Sequence, residues 1–238
     1  MKSHSIPKSF FKKTKDNGKC ILFQNGLKTQ SGSFDPKEFM LCENCEKFLS
    51  RTYEAYGTRV LKNYKHTEKY HDHIVLNHLN YNKFYLYLMS ILWRASISKA
   101  TYYSDVNLGH GIEDILRTSI LKQTTWLGNS NSFKLDHFIR ISIYRISDSS
   151  GNVCDKIIKG VLSNICRYQA LNNTNVTYYW ICDGFIIFYY LYINEDIHIT
   201  RALKLPSQLT HGSLQKIYKL EISENNILRR VFNILIRT

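Results

Sequence analysis

Proline is nearly missing from this 238-residue chain, which has three, and glycine is sparse at eleven. That scarcity excludes collagen-like and linker-dominated architectures. Acidic residues are also in short supply, 19 Asp and Glu against 32 Lys and Arg, a formal net charge of +13. A balance that far from zero favours polyanionic partners such as nucleic acid or an anionic membrane surface. No unbroken apolar run reaches the roughly 20 residues of a membrane-spanning helix, because the longest, Tyr178 to Ile193, is interrupted by Asp183-Gly184. Residues 1–11 include a proline, a histidine and lysines, so no apolar core of signal-peptide length stands there, and a cytoplasmic location is expected. Six cysteines without such a signal do not read as a disulfide framework. A phosphate-cradling glycine loop and a Gly-x-Ser-x-Gly elbow are both missing, which disfavours P-loop nucleotide hydrolysis and serine-hydrolase chemistry.

What is present is an ordinary globular composition, 44% hydrophobic and 21% charged, enough for a sizeable core. Residues 1–35 read as loop and short strand. Leu49, Tyr53, Tyr56 and Val60 then recur at helical spacing, as do Phe84, Leu88, Ile91 and Ala95 within Tyr81–Ser98, and Ile112, Ile115, Leu116 and Ile120 after the Gly109-His110-Gly111 break. Residues 62–80, polar and histidine-rich, read as a connection. Beyond about residue 133 the period shifts to two. Ile139, Ile141 and Ile143 alternate with polar residues, and Asp183-Gly184 joins two apolar runs as a type I′ hairpin. Val161–Leu171 reads equally as helix or strand, Ile197–Leu203 as a strand, and Asn226–Ile236 as a helix. The expected class is α+β: a small N-terminal module over residues 1–62, then a helical middle and an antiparallel β-rich part over 63–238.

The densest chemical signal is Leu41-Cys42-Glu43-Asn44-Cys45-Glu46. Two cysteines three apart at a helix start can turn both sulfurs toward one ion, and the free N–H groups there favour thiolate. A structural Zn²⁺ wants four ligands, so the pair supplies half a site; Cys20, His4, His71 and His73 are candidates for the rest. Helix-start cysteines without metal and a redox pair are the competing readings. His71-Asp72-His73, with His78 beyond, reads as solvated residues, and Cys154, Cys166 and Cys182 as buried small hydrophobes. Lys8, Lys12 and Lys13 lie near the N-terminus around this candidate site and could contact phosphates without reading sequence.

The order Ser3-His4-Ser5-Ile6-Pro7-Lys8, Gln30-Ser31-Gly32-Ser33-Phe34-Asp35, Leu41 to Glu46, and Tyr53-Glu54-Ala55-Tyr56-Gly57 resembles a bacterial family of HNH-like, treble-clef zinc modules suspected in phage defence. The resemblance covers mainly residues 3–60, with fainter echoes at Ser90–Arg94 and Asp183–Phe185. It implies His4 as the catalytic, metal-activating base, Cys42 and Cys45 as zinc ligands, and Mg²⁺ or Mn²⁺ for catalysis. The expected function is a metal-dependent nucleic-acid endonuclease, or a degenerate relative, serving as an effector in bacterial antiviral defence, with DNA ahead of RNA as target. The alternative is a non-catalytic nucleic-acid-binding or accessory protein with structural zinc. A partner protein from the same operon is expected, and no membrane span.

Overall fold

The computed structural model describes residues 2–13, 20–24, 27–31, 37–128, 133–168, 176–192, 195–196, 198 and 202–236, with the side chains of 2, 12–13, 20–24, 27–31 and 234–236 set aside. In chain order the elements are β1 (Lys2–Ser3), α1 (Lys8–Lys13), β2 (Cys20–Gln24), β3 (Leu27–Ser31), β4 (Glu38–Phe39) and α2 (Glu43–Leu49). A π-helical turn over Ser50–Glu54 runs straight into α3 (Ala55–Asn63), followed by β5 (Thr67–Lys69), β6 (His73–Leu76), α4 (Tyr81–Ile97), α5 (His110–Lys122), β7 (Trp126–Leu127) and β8 (Phe133–Lys134). Then come β9 (Ile139–Ser147), α6 (Asp155–Gly160), β10 (Leu162–Ser163), β11 (Cys166–Tyr168), β12 (Val176–Cys182), β13 (Phe185–Leu191), β14 (Gln215–Glu221) and α7 (Asn226–Ile236). The class is α+β.

Seven strands make the main sheet in the order β11-β12-β13-β9-β14-β6-β5. Every neighbouring pair is antiparallel except β9 and β14, which run parallel. Its second and third strands, β12 and β13, form the hairpin read from Asp183-Gly184, whose residues take positive φ of 45° and 78° as a type I′ turn requires. At Gly184 a side chain would also collide with the Arg145 guanidinium, 2.5 Å from where a Cβ would stand. Glycine there lets that arginine lie across the turn.

Both faces of the sheet are buried, and the strand residues alternate between two cores. Tyr178, Trp180, Ile187 and Tyr189 belong with α4 in the larger cluster. Ile181, Ile186 and Phe188 join Leu228, Val231 and Phe232 of α7 in the smaller one. Strand β9 shows a departure: residues 139 to 143 are all buried, polar Arg140 and Ser142 included, where alternation predicts a half-buried strand. Segment 203–208 lies against this end of the strand, where Arg140 donates to the Leu203 carbonyl and to Gln208 Oε1 and Ser142 bridges to Gln208, so no solvent face is left. Helix α4 is hydrophobic all round, with Phe84, Leu88, Ile91 and Ala95 at 0% exposure.

Other readings change in detail. Residues 62–80 are not a bare connection, since they hold the β5–β6 hairpin at one sheet edge. The segment 8–13, expected as loop or strand, is helix α1. Ile115 is 44% exposed while Leu116 and Ile120 are buried, so α5 presents a narrower apolar stripe than its isoleucines suggested. Val161–Leu171 resolves into strands β10 and β11 as far as it is described. Of Ile197–Leu203, residues 197 and 199–201 lie outside the described residues. Residues on either side of position 62 share one core: Ile6, Phe10, Phe11, Leu49 and Tyr53 lie in the same cluster as Trp180 and Ile187. Strand β10 also pairs with β2.

Candidate functional site

The cysteine pair sits where the sequence placed it, at the start of a helix. Cys42 is the N-cap of α2, and its Sγ accepts the Cys45 backbone N–H at 3.4 Å. That amide bond comes first among the causes that hold the Cys42 thiol below its ordinary range. The Cys45 thiol is pushed up, first because it hydrogen-bonds to Cys42, then by burial. The two sulfurs thus divide the roles of thiolate and proton donor, as a dithiol at a helix start does. They border a cavity of about 480 Å³ whose floor is Leu41, Phe48, Trp93 and Ile97 and whose far rim is His110 and Glu113 of α5.

Among the described residues, no three of His, Cys, Asp and Glu converge as a metal-binding group. The donors in place are therefore the two sulfurs, a soft pair that suits Zn²⁺ and offers nothing to Mg²⁺ or Mn²⁺, which want oxygen ligands. They fit one half of a tetrahedral zinc site. The side chain of Cys20 lies outside the description. His71 and His73 are placed on the β5–β6 hairpin, where His73 Nδ1 pairs with Asp72 at 2.6 Å and its ring stacks on Tyr70.

His4 is held through its backbone. Its carbonyl accepts from Arg94 Nη1 at 2.9 Å, and the same nitrogen pairs with Glu54 Oε1 at 2.7 Å. Arg94 is 1% exposed, so the weak Ser90–Arg94 echo marks a buried ion pair that ties α4, the π turn and the N-terminal strand together. The π turn brings Glu54 onto that arginine; single π turns inside helices often mark such special placements. Next to His4, Ser3 Oγ accepts the Leu41 N–H at 3.3 Å, and β1 pairs with β4. His4 and the Cys42 turn are thereby attached to one small framework, without joining as ligands of one ion among the described residues.

Lys8 is exposed and lines a cavity of about 420 Å³ with Glu54, Arg59 and Lys62. The side chains of Lys12 and Lys13 lie outside the described residues. Cys166 and Cys182 are buried as expected, while Cys154 is exposed at the start of α6, a correction to its reading as a core residue. A short helix beginning at Cys154 turns that thiol outward.

A second basic site was only partly legible. Lys62 and Asn63 also line a neighbouring cleft of about 440 Å³, together with Lys69, Arg145, Lys159 and Lys219, opposed by Asp155 and Asp183. Arg145 donates to the Asp183 carbonyl and to Asp155, each at 2.9 Å. Burial pushes the Asp155 carboxyl up, but Lys159 and Arg145 more than offset it, leaving the group below the ordinary carboxylate range. Asp155 is therefore ionised and already neutralised. Lys69 of the edge strand β5 and Lys219 of β14, two strands inward, add further positive charge. Lys62 and Lys69 stood out as basic residues in the sequence; Arg145, Lys159 and Lys219 carried no signal, since they meet only once the sheet forms. No protein-family model matches this chain, and no curated protein or solved structure does either.

Proposed function

We propose that this protein binds nucleic acid through the two adjoining basic cavities that share Lys62 and Asn63. The cleft lined by Lys62, Lys69, Arg145, Lys159 and Lys219 carries this reading. Its five cations outnumber its two carboxylates, so phosphate groups are the partners its charge favours. The Cys42–Cys45 turn would act as a structural corner that holds Zn²⁺ when further ligands complete it. Gel shifts at low salt with single- and double-stranded oligonucleotides test the binding. The variant Lys69→Glu/Lys219→Glu should weaken it about 10-fold or more and reduce the dependence on salt by about one counterion per lysine. Unaltered binding in that variant, or no binding of any polyanion, defeats the proposal. Zinc content per chain, compared with Cys42→Ser/Cys45→Ser, tests the corner.

A second reading, the metal-dependent endonuclease acting in antiviral defence, draws on the Arg94–Glu54 pair that fixes the His4 backbone. An enzyme needs its base held rigidly, and few arrangements are stiffer than a buried, hydrogen-bonded ion pair. In this reading His4 takes a proton from the attacking water. Cleavage with Mg²⁺ or Mn²⁺ that His4→Ala leaves intact rules it out.

A further inference from the structure

A fourth cavity, of about 490 Å³, is lined by Asp136, Arg140, Lys204, His211, Lys216 and Tyr218 among others. At its rim His211 Nε2 meets Asp136 Oδ2 at 2.8 Å. The pair is built from three distant parts of the chain. Asp136 sits in a short turn between β8 and β9, and His211 in the loop that precedes β14. Tyr81, the first residue of α4, donates its hydroxyl to the same Asp136 oxygen. Burial and then the Asp136 charge push the Tyr81 hydroxyl far up, so it keeps its proton and stays a donor.

The histidine faces Lys134 as well as Asp136, with Lys134 Nζ 3.2 Å from the same Nε2. Its ring lies 4.1 Å from the Tyr81 ring, centroid to centroid. The loop carrying it is clamped by the buried Gln215 side chain, which accepts the Thr210 N–H at 2.9 Å and donates to the Thr210 carbonyl. Asp136 is 12% exposed, and its Oδ1 is buried with no hydrogen-bond partner. In the tautomer that turns Nε2–H to Asp136 rather than presenting a lone pair to Lys134, the imidazole carries its lone pair on Nδ1. This is the arrangement of a general base with an orienting carboxylate.

The surroundings select the substrate. Lys204 and Lys216 are exposed at the cavity and suit phosphate oxygens. Tyr218 opens a row of rings across neighbouring strands, with His73 6.1 Å from Tyr218 and Tyr70 stacked on His73 at 4.6 Å, a platform for unpaired bases. Ser207 Oγ donates to the Ile143 carbonyl and accepts the Tyr218 N–H, and Thr210 Oγ1 lies 3.5 Å from Gln215 Oε1, so neither is presented as a nucleophile to His211. The ribose 2′-hydroxyl of an RNA substrate supplies one.

We propose that Asp136 and His211 form a general-base dyad that cleaves single-stranded RNA by internal transesterification, without a metal ion. This rests on the nucleic-acid reading above but places the chemistry elsewhere. His211 Nδ1 takes the proton of a ribose 2′-hydroxyl as its oxygen bonds to the adjacent phosphorus. The phosphorus–O5′ bond breaks, the departing O5′ gains a proton from water, and the imidazolium returns its own to solvent. The products are a 2′,3′-cyclic phosphate and a 5′-hydroxyl, with nothing oxidised or reduced.

The test incubates the full chain with end-labelled single-stranded RNA in EDTA, beside DNA of the same sequence. Expected are RNA products ending in a cyclic phosphate, intact DNA, and a loss of rate of about 100-fold or more in His211→Ala with RNA binding unchanged. In Asp136→Asn, a positioning variant, kcat should fall while KM and RNA binding hold, because the imidazole loses the carboxylate that orients it. RNA that is bound but left intact overturns this inference and spares the binding proposal. Cleavage by His211→Ala at the parent rate overturns it too, while failure to bind any nucleic acid removes both.

Discussion

The Cys42–Cys45 corner and the Asp136–His211 cavity are built on opposite plans. At the corner the chemical groups are three residues apart, and one helix start presents both sulfurs while hydrogen-bonding the first. The framework beneath it is a buried arginine–glutamate pair and a close helix crossing. At the cavity the groups are 75 positions apart, taken from loops and turns, and their support is a tyrosine, a glutamine clamp and burial of one carboxylate. The first plan takes its geometry from one helix start; the second depends on several separate side chains. Local motifs and assembled sites differ in that way because only the former are fixed by backbone geometry alone.

The largest effect expected is at the corner's foundation. Glu54→Ala strands the Arg94 guanidinium at 1% exposure, and removing one partner of such a pair costs about 4 kcal/mol. Chemical denaturation measures it, and a double variant with Arg94→Met that is no less stable than Glu54→Ala identifies the stranded charge as the cause. Next comes Gly57→Ala, about 3 kcal/mol, since the new methyl would stand 2.0 Å from the buried Tyr87 ring where α3 crosses α4. A loss well under 1 kcal/mol would show that the crossing yields easily and that the corner is less rigid than described.

The smallest effect is chemical and leaves stability aside. Because Cys42 is held below the ordinary thiol range and Cys45 above it, Cys42 carries more thiolate at neutral pH. It should alkylate first with iodoacetamide, and its rate should fall as pH drops through its own pKa while Cys45 reacts only at higher pH. Peptide mapping after short exposures reads the order. Equal rates at the two cysteines would mean that the amide bond at the N-cap does not favour the thiolate, and would weaken the corner as a metal-binding or thiol site.

Much of the fold was legible because its signals are local. The spacing of Phe84, Leu88, Ile91 and Ala95 gives α4, and Asp183-Gly184 gives the β12–β13 hairpin, each within a few residues. The β5–β6 hairpin was not legible, because the edge strand β5 is polar and β6 is only four residues long within a histidine-rich stretch. Nor was the all-round burial of β9, whose polar Arg140 and Ser142 read as a solvent face. Of the candidate sites, the cysteine turn could be seen and the cavity could not. His211 lies among serine, glycine and threonine in an unremarkable loop, and Asp136 next to His137 in a short turn.

By itself, then, the sequence determined the α+β class, the excess of positive charge and the cysteine turn, since composition and spacings of two to four residues carry these without reference to the rest of the chain. Only the tertiary structure decided that Arg145, Lys159 and Lys219 share a cleft with Lys62 and Lys69, and that Asp136 meets His211 under Tyr81. Those groupings depend on which strand lies beside which, and strand order in a mixed sheet is set by the packing of two cores against its faces, a property that belongs to no single stretch of residues.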